Sequence, residues 1–139
     1  MKEIFFLSGL PRAGNTLFGS LMNQNPDVAV TANSITADTM GELFRLKHND
    51  IFKNYPDHKS FNNLAYHVFD LYYKDWNYKY IIDRGPWGMP ANLKFLKETR
   101  KNIKIILLVR DIIEVLASFI RWSQKTPDTF INRSEAKTV

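Results

Sequence analysis

The apolar positions of this chain fall into short unbroken runs that alternate with stretches of helical spacing. Residues 4–7 form the first run and predict a strand over about 4–8. Leu17, Leu21 and Met22, with Phe18 beside them, predict a helix over about 15–23, stopped by Asn25, Pro26 and Asp27. A short second strand is expected over 28–31. Met40, Leu43, Phe44 and His48 share one side of a helix over 37–48, and a break rich in Asn, Asp and Pro covers 49–60. Leu64, Val68, Leu71 and Tyr72 mark one face of a further helix over about 61–74.

Residues 80–83 read as a strand ended by a turn at Arg84, Gly85 and Pro86, with a short helix over about 90–99 after it. Residues 103–109 are the clearest buried strand of the chain. Their β-branched and leucine content, without strict alternation, is what a parallel sheet covered on both faces demands. A helix over 111–123 follows at once, and a polar tail over 123–139 closes the pattern. Strands alternating with helices imply βαβ units, hence an α/β domain of three layers with a central, mainly parallel sheet flanked by helices. Ligands of such sheets sit at the carboxyl ends of the strands. That rule gathers residues 9–16, 83–86 and 110–118 around one crevice.

Composition adds limits. The 139 residues suffice for a single domain, and 45% hydrophobic content allows a real core. Nineteen basic residues against 14 acidic ones leave a net charge of +5. That excess is either a solvated surface or a site for a polyanionic small molecule. No basic run is interleaved with aromatics, so no nucleic-acid partner is expected. The absence of cysteine excludes disulfides and thiolate metal sites, and His48, His58 and His67 lack ligand spacing, so no metal is expected. The run at 4–7 lacks the basic lead and length of a signal peptide, and 103–109 is interrupted by Lys104 and too short to cross a bilayer. A soluble cytoplasmic chain without a membrane partner is the expectation.

The strongest chemical signal lies where the first strand enters the first helix. Gly9, Gly14, Asn15 and Thr16 stand at the phosphate-loop spacing G-x-x-x-x-G-K-[ST], with asparagine in the lysine position. A strand ending in a glycine turn before a helix aims unpaired N–H groups and a positive dipole end at an anion. In nucleoside triphosphatases the lysine reaches the β- and γ-phosphates, so a loop without it suits a donor with a shorter anionic tail. Arg12, inside the loop, offers a planar fork for two oxygens of that tail.

Two segments resemble the sulfotransferase family that uses 3'-phosphoadenosine-5'-phosphosulfate (PAPS) as donor. Residues 7–17, with Pro11, Arg12, Ala13, Gly14, Asn15, Thr16 and Leu17, are similar to the family's 5'-phosphosulfate loop, alanine replacing the usual serine at 13 and asparagine the first threonine at 15. Residues 105–118 are similar to its 3'-phosphate element, in which an arginine ends a strand and a serine lies eight residues on; Arg110 and Ser118 fit that spacing. Residues 81–86 also resemble the strand-to-turn segment that contributes catalytic side chains. The likeness spans roughly 4–122 and implies a P-loop-like domain.

The resemblance implies transfer of a sulfuryl group from PAPS to a hydroxyl or amine of an unidentified acceptor, a small molecule, glycan or peptide. Adenosine 3',5'-bisphosphate would be the product, with no metal. Arg12 and Arg84 would stabilise charge at the 5' end, and Arg110 with Ser118 would hold the 3'-phosphate. Arg84 stands where some relatives place a histidine base, and residues 31–34 lack the glutamate that others use. Asp83 is the substitute candidate, with Asp38 and Glu42 behind it. Family members usually continue into another strand, a basic loop over the 3'-phosphate and part of the acceptor pocket, so the resemblance implies an incomplete domain over 1–139. Two other classes stay open: a degenerate, non-catalytic nucleotide-binding module, and a P-loop kinase or hydrolase in which Asp83 or Asp111 would serve Mg²⁺.

Overall fold

A computed structural model describes residues 2–125. Strands β1 (Glu3–Gly9), β2 (Val28–Val30), β3 (Tyr80–Arg84) and β4 (Ile105–Leu108) form one sheet in the order β2-β3-β1-β4, and every pairing is parallel. Between them run helices α1 (Asn15–Met22), α2 (Thr36–Leu46), α3 (Asp50–Asn54), α4 (His58–Tyr72) and α5 (Pro90–Thr99), with α6 (Ile112–Lys125) last. This is the expected α/β architecture, a parallel sheet flanked by helices.

Central strand β1 is apolar on both faces, and its alternation sorts the two cores. Ile4 and Phe6 join Ile81 of β3 in a cluster roofed by Met40 of α2, Ala65 and Phe69 of α4, and Phe95 and Leu96 of α5. Phe6 meets Phe69 and Trp87 edge-on, with ring centres 5.1 and 4.9 Å apart, the geometry that the ring quadrupoles favour. Leu7 faces the other way with Val28 and Ile82, packed against Phe18 and Met22 of α1. Each fully buried aromatic or leucine here contributes about 1.5–3 kcal/mol.

The structure corrects three readings of the pattern. The buried face of α4 is Ala65 and Phe69, continued by Tyr73, whereas Leu64, Leu71 and Tyr72 face solvent. The polar break contains α3, nucleated by Asn49, whose side chain accepts from the Ile51 amide at 2.9 Å. Among the described residues β4 is an edge strand, and its outward apolar positions, such as Leu107, remain open instead of being covered on both faces. The opposite edge is closed. There the Asn23 side chain accepts from Val30 N at 2.7 Å and donates to Val30 O at 3.4 Å, pairing β2 as a neighbouring strand would.

The polar tail lies largely outside the described residues, except that α6 continues to Lys125. Among the described residues, no helix is long and apolar enough to cross a membrane.

Candidate functional site: an arginine-lined cleft

From β1 the chain proceeds outward to β2 and β3, then returns across β1 to β4. The carboxyl ends of β1 and β4 therefore bracket a topological switch point, where parallel sheets leave a crevice. After Gly9 the loop turns tightly, with Ala13 N donating to Leu10 O at 3.0 Å. Arg12 and Gly14 both take left-handed backbone, φ 69° and 102°. Glycine adopts that conformation freely; for Arg12 it carries strain of about 1–2 kcal/mol. Gly14 then begins α1 with no side chain capping the first-turn amides.

Asn15 explains how the loop manages without lysine. Its side-chain nitrogen turns back beneath the loop and donates to Leu10 O at 2.9 Å and to Gly9 O at 3.4 Å. The residue is only 8% exposed, and its amide oxygen has no protein partner. Gly9 is required there by space, because a Cβ would lie 2.5 Å from that oxygen and 3.0 Å from Leu108 O.

Three guanidinium groups converge on this frame. Arg12 Nε donates to Ser118 Oγ at 3.0 Å, tying the loop to α6. Arg110 follows β4, donates from Nη1 to Arg12 O at 3.0 Å, and is oriented through Nε by Glu114 at 2.8 Å. Arg84 ends β3 and donates from Nη1 to Thr16 Oγ1 at 3.3 Å. Its own backbone is fixed on both sides: Arg84 N donates to Thr31 Oγ1 at 2.8 Å, and its carbonyl accepts from Ser34 N at 2.9 Å. The adjoining turn is held by Gly85 N on Leu7 O and Gly88 N on Ser8 Oγ.

The resulting cleft measures about 490 Å³. Of the residues expected from sequence, Pro11, Arg12, Gly14, Asn15, Thr16, Leu17, Arg84, Arg110 and Ser118 line it, and Ala13 does not. Phe119 and Trp122 of α6 line it as well, and sequence reasoning missed them. For Trp122 the signal was present, since it follows Ser118 at i+4 on the same side of the helix; Phe119, at i+1, had no such signal. No carboxylate or imidazole is among the lining residues; Glu114, outside the lining, pairs with Arg110, and the three guanidinium groups leave the cleft positively charged. A larger depression of about 980 Å³ beside β2 is lined by asparagines, Trp76 and Asp75 but by no cation, and so offers nothing to an anion.

Asp83 is not brought to the cleft, which corrects the expectation that it serves there as a base. Alternation along β3 sends Arg84 toward α1 and Asp83 to the opposite face, where it is fully buried. Its Oδ2 accepts from Thr36 Oγ1 at 2.5 Å, Tyr73 OH at 2.8 Å and Ser34 Oγ at 3.2 Å, and its Oδ1 from Trp87 Nε1 at 3.1 Å. Desolvation pushes the Asp83 carboxyl above its ordinary range, and the four donors offset that only in part. Burial, then the neighbouring Asp83 charge, push the Tyr73 hydroxyl upward as well. Asp38 and Glu42 are both outside the cleft on α2; Asp38 is exposed, and Glu42 pairs with Arg45. Asp111 caps α6, accepting from Ile113 N at 2.8 Å.

No protein-family model and no curated protein matches the chain. The arrangement gathers Arg12, Arg84, Arg110, Ser118 and the α1 N-terminus around one cleft, with Arg12 bonded both to Ser118 and, through its carbonyl, to Arg110, a positively charged setting of the kind that suits an anion.

Proposed function

We propose that this domain binds PAPS in the cleft and transfers its sulfuryl group to a hydroxyl or amine acceptor. The observation that carries the reading is the convergence of Arg12, Arg84 and Arg110 on a lysine-free phosphate loop, with Ser118 of α6 accepting a hydrogen bond from Arg12. In the reaction, the bond from sulfur to the 5'-phosphate oxygen breaks, a bond from sulfur to the acceptor forms, and the acceptor's proton passes to solvent, because no carboxylate or imidazole lines the cleft. The electron pair stays on the leaving phosphate of adenosine 3',5'-bisphosphate. Arg12, Arg84 and the first amides of α1 stabilise that charge, and Thr16 positions Arg84. Arg110 and Ser118 take the 3'-phosphate. A cytoplasmic setting belongs to the same proposal and agrees with a sequence that carries no cysteine.

A second reading is favoured by one observation, the absence of any carboxylate or imidazole from the cleft lining. On that reading the domain binds the nucleotide without transferring its sulfuryl group. A kinase or hydrolase has less support. Both carboxylates available for Mg²⁺ are engaged, Asp83 in the core and Asp111 as a helix cap.

A thermal-shift titration tests the reading, because a ligand that binds only the folded state raises the melting temperature by mass action. Adenosine 3',5'-bisphosphate should stabilise the chain more than ATP–Mg²⁺ at equal concentration. Equal shifts, or a larger one with ATP–Mg²⁺, would sink it. Sulfuryl transfer from PAPS, assayed alongside, separates the enzyme from the binding module.

A further inference from the structure

The arginine cleft lies at the N-terminal end of α1; the depression of about 980 Å³ beside β2 begins past its C-terminal end, at Asn23. The eight residues of α1 span roughly 12 Å, and the two hollows share no lining residue. Two kinds of surface meet in the depression. One is aromatic. The Trp76 ring centre lies 4.9 Å from that of buried Tyr73 and 6.3 Å from that of Tyr78, which is 42% exposed. The core thus anchors the indole from behind, and Tyr78 extends it toward solvent. The other surface is polar. Asp75 and Asn77 are exposed, and neither side chain has a hydrogen-bond or ionic partner among the described residues. Asn25 engages its side-chain oxygen with Asp27 N at 3.0 Å and keeps its NH2 free.

We infer that this depression binds a neutral pyranose unit of an oligosaccharide, with Trp76 and Tyr78 as the shelf for the apolar ring face and Asp75, Asn77 and Asn25 as partners of its hydroxyls. The lining argues against the other ligand classes. Asp75 is its one charged residue, so an anion meets repulsion and no cation. An extended peptide finds no donor on β2, because Val28 N already donates to Asn25 O at 3.0 Å and Val30 N to Asn23 Oδ1 at 2.7 Å. An organic ammonium would use Asp75 and the rings but leave the two carboxamides without partners. A pyranose meets every part of the wall. Its C–H face is flat and apolar, which suits an aromatic surface with a wet edge. Its hydroxyls both donate and accept, as a carboxylate beside two carboxamides requires. A few polar groups set around an aromatic surface in an open hollow are also the general make-up of a small-ligand site. The inference is independent of the nucleotide reading of the arginine cleft.

Proton–nitrogen NMR of the isotope-labelled chain tests this, with neutral tetrasaccharides of glucose, galactose, mannose and N-acetylglucosamine as probes and choline as the competing cation. At least one tetrasaccharide at millimolar concentration should shift the Trp76 indole N–H together with the Asn25 and Asn77 side-chain amides. Tyr78→Ala and Asn77→Ala, both at exposed positions, should each weaken that sugar about 2- to 12-fold, the scale of one aromatic contact or one neutral hydrogen bond. Their melting temperatures should stay close to that of the wild type, which separates lost binding from lost folding. No shift of these signals with any tetrasaccharide would overturn the site. So would shifts with choline and none with the sugars, or sugar affinity unchanged in both variants.

Discussion

Asp83 is fully buried and accepts from four side chains gathered from α2, the ends of α4 and the turn after β3. In sequence it was a carboxylate beside Arg84 at a strand end, and nothing local distinguished a base from a core anchor. The distinction is set by strand parity and by partners 10 to 49 residues away, such as Tyr73 and Ser34, which no spacing rule reaches. The anchor still serves the cleft: by tying Ser34 and Thr36 to β3, it fixes the segment whose Thr31 and Ser34 hold the Arg84 backbone. The raised pKa has a definite sign in stability. Between the ordinary value of 3.8 and the higher folded one, the native state binds more protons than the unfolded chain. The stability that this linkage contributes is full below pH 3.8 and is lost as pH rises through the folded pKa. Asp83→Asn, whose amide oxygen can still accept from Trp87 while its NH2 faces hydroxyls that can turn to accept, removes that loss. Urea titrations from about pH 3.5 to about pH 8 should show the wild type falling relative to Asp83→Asn as pH rises. A constant difference between the two would mean that Asp83 is ionised with an unshifted pKa.

Helix α1 and the loop that feeds it were the most legible element, because glycine spacing, strand run and helix period are all local signals. The loop's inner packing was not legible. It depends on Asn15 folding back onto Gly9 and Leu10, and on β4 passing so close that Leu108 O lies 3.0 Å from where a Gly9 Cβ would stand. Helix α4 shows the opposite case. Two apolar stripes lie side by side on it, Leu64 with Leu71 and Tyr72, and Ala65 with Phe69 and then Tyr73. Contact of Phe69 with Phe6, and the reach of Tyr73 to Asp83, decide which one is buried. For the loop, the packing gives a direct expectation. Gly9→Ala should cost about 1–3 kcal/mol, the scale of overpacking a filled site. It should also weaken anion binding, since the added methyl displaces Asn15 from the loop carbonyls. Chemical denaturation and bisphosphate titration of the same variant test this. Unchanged stability would mean that Asn15 and β4 yield freely and that the loop is not pinned as described.

Across the whole molecule the two sheet edges are treated differently, and the unpredicted part of the fold lies there. The sequence run at 103–109 has the composition of a strand covered on both faces, yet β4 is an edge, because composition records apolarity without recording which neighbours arrive. At β2 the Asn23 amide closes the edge; at β4 Leu107 is 60% exposed, and on the adjoining α6 Ile113 is 73% exposed and Leu116 54%. With Val109 at 83%, these are exposed large apolar side chains on β4 and the segment that follows it, of the kind that binds hydrophobic dyes and promotes association. None of Leu107, Val109, Ile113 or Leu116 lines the arginine cleft, so the two surfaces should respond independently. The double substitution Ile113→Lys with Leu116→Lys removes exposed apolar area at i and i+3 of one helix face. It should lower anilinonaphthalene sulfonate fluorescence and reduce concentration-dependent light scattering relative to the wild type. Because both positions are solvent-facing, stability should change by only about 0.5 kcal/mol per site, and adenosine 3',5'-bisphosphate affinity should hold within about twofold. A large loss of stability would instead place these residues inside a packed core, and a matching loss of nucleotide affinity would mean that α6 transmits changes on its outer face to Ser118 and Trp122.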